Sequence, residues 1–196
     1  NLDKKNSYNV LLGKIEPFDA IIKLPFQNFY LIPSHRDMVG AEIELVDEER
    51  NAYFLQRATS KLHTNFDYIF LDCPPSLGFV TLNSLTSADG VLITLQSEYF
   101  ALEGIGELLG TIERVKQNFN PFLGLEGVLI TMVDERTNLA NQVIEEVKKH
   151  FKDNVFRNYI PRSVRLAEAP SFGKPVLYYD SKSRGSIAYL NLAKEY

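Results

Sequence analysis

Asp72 is the residue whose type and setting point most directly to chemistry. It ends a run of four apolar residues, Tyr68 to Leu71, and is followed by Cys73, Pro74 and Pro75. A continuous apolar run of this kind is typical of a strand buried on both faces, and the two prolines stop it. Such a strand would deliver a carboxylate at its C-terminal end. Mg²⁺ takes hard oxygen ligands and keeps several of its waters, so one carboxylate there suffices to hold it beside a chain of phosphates. The same residues also fit a plain strand-end cap, and the pattern by itself leaves both readings open. Other reactive side chains carry less. Cys73 has no His or Cys partner pattern around it and reads as a small buried core residue, not a nucleophile. His35, His63 and His150 lack metal-ligand spacing and read as surface or capping residues. Glu103 and Glu107, one helical turn apart, read as a solvated face. Tyr178 and Tyr179 read as packing residues.

The elements that must position these residues follow from apolar periodicity. Phe29 to Ile32 reads as a short strand closed by Pro33. Val39 to His63 reads as one long helix, with Ile43, Val46, Phe54 and Leu55 at roughly helical spacing. Tyr68–Leu71, Val91–Leu95 and Gly127–Met132 read as buried strands, and Val155–Ile160 as a shorter one. Between them lie a short helix, Thr81 to Ala88, and an amphipathic helix, Glu98 to Asn118, with Leu102, Ile105, Leu108, Leu109, Ile112 and Val115 on one side. Asn138 to Phe151 is a helix with Leu139, Val143, Ile144 and Val147 inward; Val176 to Tyr179 is apolar but brief, and Gly185 to Tyr196 reads as a last helix. Buried strands alternating with helices of this length predict an α/β fold, a mainly parallel sheet flanked by helices. Ligands of open α/β sheets bind beyond the C-terminal ends of the strands. That directs attention to Ser34–His35, Asp72–Ser76, Gln96–Glu98, Asp134–Asn138 and Pro161–Arg165.

Composition narrows the class. A length of 196 residues, 45% hydrophobic and 23% charged, is that of one ordinary globular domain and excludes a disordered tail, a collagen-like chain and a coiled coil. No apolar run reaches about 18 residues, which argues against a membrane span. Residues 1–14 lack the apolar core and cleavage site of a signal peptide. A single cysteine forms no internal disulfide, so a reducing cytoplasm is the default setting. The net charge of −4 conceals two unlike halves: residues 1–113 carry 8 Lys/Arg against 16 Asp/Glu, and residues 114–196 carry 13 against 9. This asymmetry is consistent with a basic face that meets an anionic partner, and equally with solvated Lys and Arg on surface helices.

Five separated stretches add a more specific signal: FDYIFLDCPPSLG at 66–78, EYFALEG at 98–104, GVLITMVDERTN at 127–138, IPRSVRLAEAPSFGKP at 160–175 and YDSKSRG at 179–185. In this order they closely resemble the ParA/Soj family of bacterial DNA-partitioning ATPases, within the MinD-like deviant P-loop group. The resemblance runs from about Tyr8 to Tyr196. It implies a P-loop NTPase-like fold, ATP and Mg²⁺ as cofactors, an ATP-dependent homodimer, binding to DNA without sequence preference, a ParB-type partner that stimulates hydrolysis, and a cytoplasmic, nucleoid-associated protein with no membrane partner. Asp72 matches the family's Mg²⁺-associated Walker B carboxylate. Thr131 and Met132, with Pro161, Arg162 and Ser163, match its adenine pocket; the family usually has Asn where Ser163 stands, and the shorter hydroxyl can still bond a base edge. Arg136 and Arg165 match the arginines through which ParA-type proteins touch DNA, where phosphate contacts need no base reading. Taken without the family, both arginines read first as plain ion-pair partners.

No GxxxxGK[ST] loop occurs in the 196 residues: Gly13-Lys14 and Gly173-Lys174 are the Gly-Lys pairs, and neither is followed by Ser or Thr. The chain also opens on Asn1. The expectation is therefore a single domain, residues 1–196, that forms the C-terminal majority of a ParA-type ATPase domain, incomplete at its N-terminus and not competent for hydrolysis alone. The alternative is a non-catalytic DNA- or partner-binding module derived from the family. A MinD-type membrane-cycling ATPase would need a basic amphipathic C-terminal helix, and Ile187 to Tyr196 holds only Lys194. An iron–sulfur relative would need cluster cysteines that Cys73 alone does not supply.

Overall fold

The computed structural model describes residues 3–45, 51–98 and 100–196, without the side chains of residues 42 and 100–103. Val46, Leu102 and Glu103 thus lie outside what it describes. The chain divides into two compact units: Asn1–Asp89 with Thr111–Leu123, and Gly90–Gly110 with Gly124–Tyr196.

The first unit is mostly helical. Helix α1, Ser7–Leu11, starts where the Asn6 side chain accepts the Asn9 N–H at 3.0 Å. Helix α2, Pro17–Ala20, has proline at its first position, where a missing N–H costs nothing. Strand β1, Ile22–Lys23, pairs antiparallel with β2, Tyr30–Leu31, so the strand expected over Phe29–Ile32 is present but two residues long. The single helix expected over Val39–His63 is instead α3, Met38–Leu45, a 3-10 turn over Asn51–Tyr53, and α4, Phe54–Ser60. Phe54 and Leu55 pack against the core of Tyr8, Leu11, Ala41, Leu45 and Phe79, whereas Ile43 is exposed. Helix α5, Phe79–Ser87, supplies the pin of this unit. Its Asn83, fully buried, donates to the carbonyls of Asn51 at 3.0 Å and Phe79 at 3.1 Å and accepts the Leu55 N–H at 3.2 Å. The Asn120 side chain closes the other end of α5, donating to the carbonyls of Leu85 and Ala88.

The strand expected at Tyr68–Leu71 does not form. Residues 66–77 have no helix or strand, and Tyr68 and Phe70 are 67% and 76% exposed. Their rings stack on each other with centroids 6.3 Å apart. A strand takes its backbone hydrogen bonds from neighbouring strands, and among the described residues no ladder reaches 68–71. Cys73 is exposed for the same reason, contrary to the core position expected for it.

The second unit carries the parallel pairing. Strand β3, Gly90–Gln96, leads into helix α6, Phe100–Asn118, of which residues up to 110 belong here. Strand β4, Gly124–Thr131, runs parallel to β3, from Gly90 opposite Gly124 to Gln96 opposite Thr131, with a bulge between Val91 and Leu92. Helix α7, Asn138–Phe151, begins at Thr137, whose hydroxyl accepts the Ala140 N–H at 3.3 Å. It buries Ala140, Val143, Ile144, Val147 and Phe151 at helical spacing; Leu139, one position off this stripe, is 44% exposed, a correction to the expected inward set.

The strand expected over Val155–Ile160 is reduced to two parallel bridges, Val128 with Val155 and Val133 with Pro161. The reason is local. Between the N–H groups of Phe156 and Ile160, which donate to Val128 and Ile130, those of Arg157 and Asn158 turn away and donate to the Glu195 carboxylate at 2.6 and 3.0 Å. Three helices complete the unit: α8, Val164–Glu168, α9, Val176–Tyr179, and α10, Arg184–Glu195. Leu166, Ala188 and Leu192 pack on the core of Leu129, Phe156 and Ile160. A parallel pair flanked by helices is the α/β class expected from the sequence.

Candidate functional site

The polar residues gathered beyond β3 and β4 are held by a continuous set of backbone bonds. Gln96 and Thr131 are register partners at the strand ends. The Ser97 N–H donates to the Thr131 carbonyl at 3.2 Å, and the Thr131 hydroxyl returns a bond to the Leu95 carbonyl at 3.1 Å. The Ser97 hydroxyl donates to the Met132 carbonyl at 3.3 Å. Met132 itself sits in the left-handed region, φ 53°, which disfavours a non-glycine residue by about 1–2 kcal/mol. It turns the chain out of the sheet. Strain of this kind collects at functional loops, and nothing in the residue types around Met132 announces it.

Directly after that turn the Val133 N–H donates to the Ile160 carbonyl at 3.0 Å, and the Arg162 N–H donates back to the Val133 carbonyl at 3.0 Å. Pro161 has no N–H to offer and fits between these two bonds. The structure thereby brings Thr131 and Met132 beside Pro161, Arg162 and Ser163. Arg162 reaches Glu98, just past β3, with Nη2 3.0 Å from Oε1. Ser163 precedes α8 without spending its hydroxyl on a cap bond to that helix. A concavity of about 250 Å³ opens alongside, its walls including Val133, Tyr159, Pro161 and Asn191, with Glu135 and Arg184 paired at 3.1 Å.

Arg136 and Arg165 lie in the same unit, and both carry carboxylate partners. Arg136 is 87% exposed and grips Asp134 with two parallel bonds, Nε to Oδ1 at 2.8 Å and Nη2 to Oδ2 at 2.7 Å. Oδ1 also accepts the Arg136 backbone N–H at 3.2 Å. These bonds, the side-chain pair first and the backbone N–H second, hold the Asp134 carboxyl at about 2, and the guanidinium is pushed up in turn. Arg165, 54% exposed, has Nη1 2.9 Å from Glu168 Oε2 and Nε 3.4 Å from Asp180 Oδ2. The Tyr179 hydroxyl donates to the same Glu168 oxygen at 3.1 Å, and its ring stacks on Phe172 with centroids 4.9 Å apart. Asp134 and Glu168 are near neighbours of these arginines in sequence, whereas Asp180 is brought to Arg165 by the fold.

Asp72 belongs to the first unit, on the exposed stretch that follows Leu71. Among the described residues no group of three His, Cys, Asp or Glu gathers to hold a metal. The chain's own contribution at Asp72 is one hard oxygen ligand, which fits an ion that retains waters and takes phosphate oxygens. His35 caps locally, its Nδ1 accepting the Asp37 N–H at 3.3 Å. No described helix is long and apolar enough to cross a membrane.

A family model described as an AAA domain matches residues 1–125. The sporulation initiation inhibitor protein Soj of Bacillus subtilis is 50% identical over 188 residues, 96% of this chain and 74% of Soj. The chromosome partitioning protein ParA of Myxococcus xanthus is 52% identical over 188 residues, 96% of this chain and 66% of that protein. The chain thus spans 66% to 74% of the length of these two relatives. The crystal structure of cobyrinic acid a,c-diamide synthase from Mycobacterium smegmatis with bound ATP analogue and magnesium matches with a TM-score of 0.85 and 37% identity, over 99% of this chain and 73% of that one. With identities of this size over nearly its whole length, the chain belongs to the ParA/Soj family of chromosome-partitioning ATPases.

Proposed function

We propose that the protein is a ParA-type partition ATPase that binds ATP with Mg²⁺, joins a second copy when ATP is bound, and then holds DNA without reading its sequence. A ParB-type partner would stimulate hydrolysis and so release the DNA. The observation that carries this reading is the pair of backbone bonds between Val133 and the 160–162 segment. It sets Thr131, Met132, Pro161, Arg162 and Ser163 together, the residues that match the family's adenine pocket. Met132 and Pro161 offer apolar surface to a purine, and the Ser163 hydroxyl offers its edge a hydrogen bond. Asp72 would hold Mg²⁺ through water, and the ion, when bound, neutralises phosphate charge. Arg136 and Arg165 would contact DNA phosphates. ATP then acts by favouring the DNA-binding dimer over the monomer, a population shift set by differential affinity.

In this reading residues 1–196 form the C-terminal majority of one ParA-type ATPase domain, working in the cytoplasm on the nucleoid. The 196 residues alone do not turn over ATP, because neither Gly-Lys pair is followed by the Ser or Thr that would complete a phosphate loop. The test is DNA binding by the complete protein to random-sequence duplex, with ATP, with ADP and without nucleotide. Retention only with ATP, lost steeply with added salt, is expected. Equal binding in all three states would overturn the proposal in favour of a module that holds DNA without a nucleotide cycle.

A further inference from the structure

We infer that Asp134, Glu168 and Asp180 are built-in counter-ions that compete with DNA phosphate for Arg136 and Arg165, and so set how tightly the protein holds DNA. The inference rests on the reading above that these two arginines meet phosphate.

Neither arginine presents a vacant guanidinium. Asp134 occupies Nε and Nη2 of Arg136 in the same two-bond geometry that a phosphate would use. Glu168 and Asp180 flank Arg165 on Nη1 and Nε. The surroundings do not relieve this. Arg184 is matched by Glu135 and Arg162 by Glu98, so across this set of loops four guanidiniums face five carboxylates. A phosphate approaching Arg136 or Arg165 therefore meets a guanidinium already paired with a carboxylate.

The carboxylates are also fixed independently of the arginines. Asp134 accepts the backbone N–H of residue 136, and its carbonyl accepts the Thr137 hydroxyl at 3.0 Å. Glu168 accepts the Tyr179 hydroxyl. The Asp180 carboxylate accepts the Lys182 N–H at 3.3 Å. When an arginine swings to a phosphate, its former partner therefore stays nearby as a fixed negative charge. The ion pairs are exposed, which makes them easy to open. DNA binding is then an exchange of one anion for another and remains reversible.

The test uses the complete protein with ATP and Mg²⁺ and a fluorescent random-sequence duplex, over a series of salt concentrations. Asp134→Asn and Glu168→Gln keep the acceptor oxygens that hold the loops and remove only the charge. Each is expected to tighten binding about threefold, and the two together about tenfold, with a steeper dependence on salt. Glu146→Gln is the control: it takes the same charge from an ion pair with Lys149, 3.2 Å, elsewhere in the unit. Arg136→Ala and Arg165→Ala are expected to weaken binding. If the arginine variants weaken binding while Asp134→Asn and Glu168→Gln leave it unchanged, or raise it no more than Glu146→Gln does, the inference falls and the DNA reading stands. If the arginine variants bind DNA normally, both fall.

Discussion

The Arg162 N–H donates to the carbonyl of Val133 at 3.0 Å, across 29 positions of sequence, and the two residues thereby fix the mouth of the second unit. Everything in that mouth depends on this register, because a slip of one residue would turn the side chains of 161–163 to the opposite side.

Asp134 should titrate at about 2 in the folded protein, against an ordinary value of 3.8. Since its folded value is depressed, its pairing stabilises the fold above the ordinary carboxylate range and is lost as pH falls toward 2. A carbon-detected NMR titration reads this directly. In Arg136→Ala the midpoint should return toward 3.8; a midpoint left near 2 would mean that another group holds the charge.

Asn83→Leu should lower the stability of the complete protein by about 3 kcal/mol, measured by denaturant unfolding. The change orphans the Leu55 N–H and the Asn51 carbonyl inside the first unit. A loss below about 0.5 kcal/mol would show that water replaces the amide without cost.

Glu195→Gln should speed hydrogen exchange at the amides of Arg157 and Asn158 at neutral pH. Burial works to raise the Glu195 carboxyl, but the hydrogen bonds from Arg157 and Asn158 outweigh it and the net shift is downward. The clamp is thus fully present above the ordinary carboxylate range and weakens as pH falls below it. Unchanged exchange at both amides would remove Glu195 from this role.

Asp72→Ala should reduce Mg²⁺-dependent ATP hydrolysis by the complete protein about a hundredfold or more, with stability changed by less than about 0.5 kcal/mol. Steady-state turnover and a thermal melt decide it. Normal turnover would take Asp72 out of the Mg²⁺ site.

Some of this was legible in the residues themselves. The runs VLITL and GVLITM are apolar on both faces, and both are strands, because each finds the other as a parallel partner. The apolar spacing of Val143, Ile144 and Val147 marked α7, and its bounds, Asn138–Phe151, are those expected. Tyr68–Leu71 has the same apolar character and yet is no strand, since strand formation depends on a neighbour and not on composition. The long helix expected from Val39 to His63 failed for a related reason: apolar spacing is too coarse to register the 3-10 turn at Asn51–Tyr53 or the end of α4 at Ser60. At the site, the ends of the apolar runs directed attention to the loops after β3 and β4. Asp134 and Glu168 lie within three positions of Arg136 and Arg165, so ion pairing was open to the sequence, whereas Asp180 comes to Arg165 only through the fold.

The bond from residues 157 and 158 to Glu195 also imposes an order in time. Their partner lies 38 and 37 residues further along the chain. During synthesis β3 and β4 are complete well before Glu195 is made, so the 155–160 segment has at first its bridge and backbone bonds to β4 and the packing of Phe156 and Ile160 on Leu129, without the Glu195 clamp. Its final register is set last, by a distant contact, and such contacts form slowly. Substitutions at Glu195 should therefore slow the closing step of folding and lengthen the interval in which the segment is open to proteases.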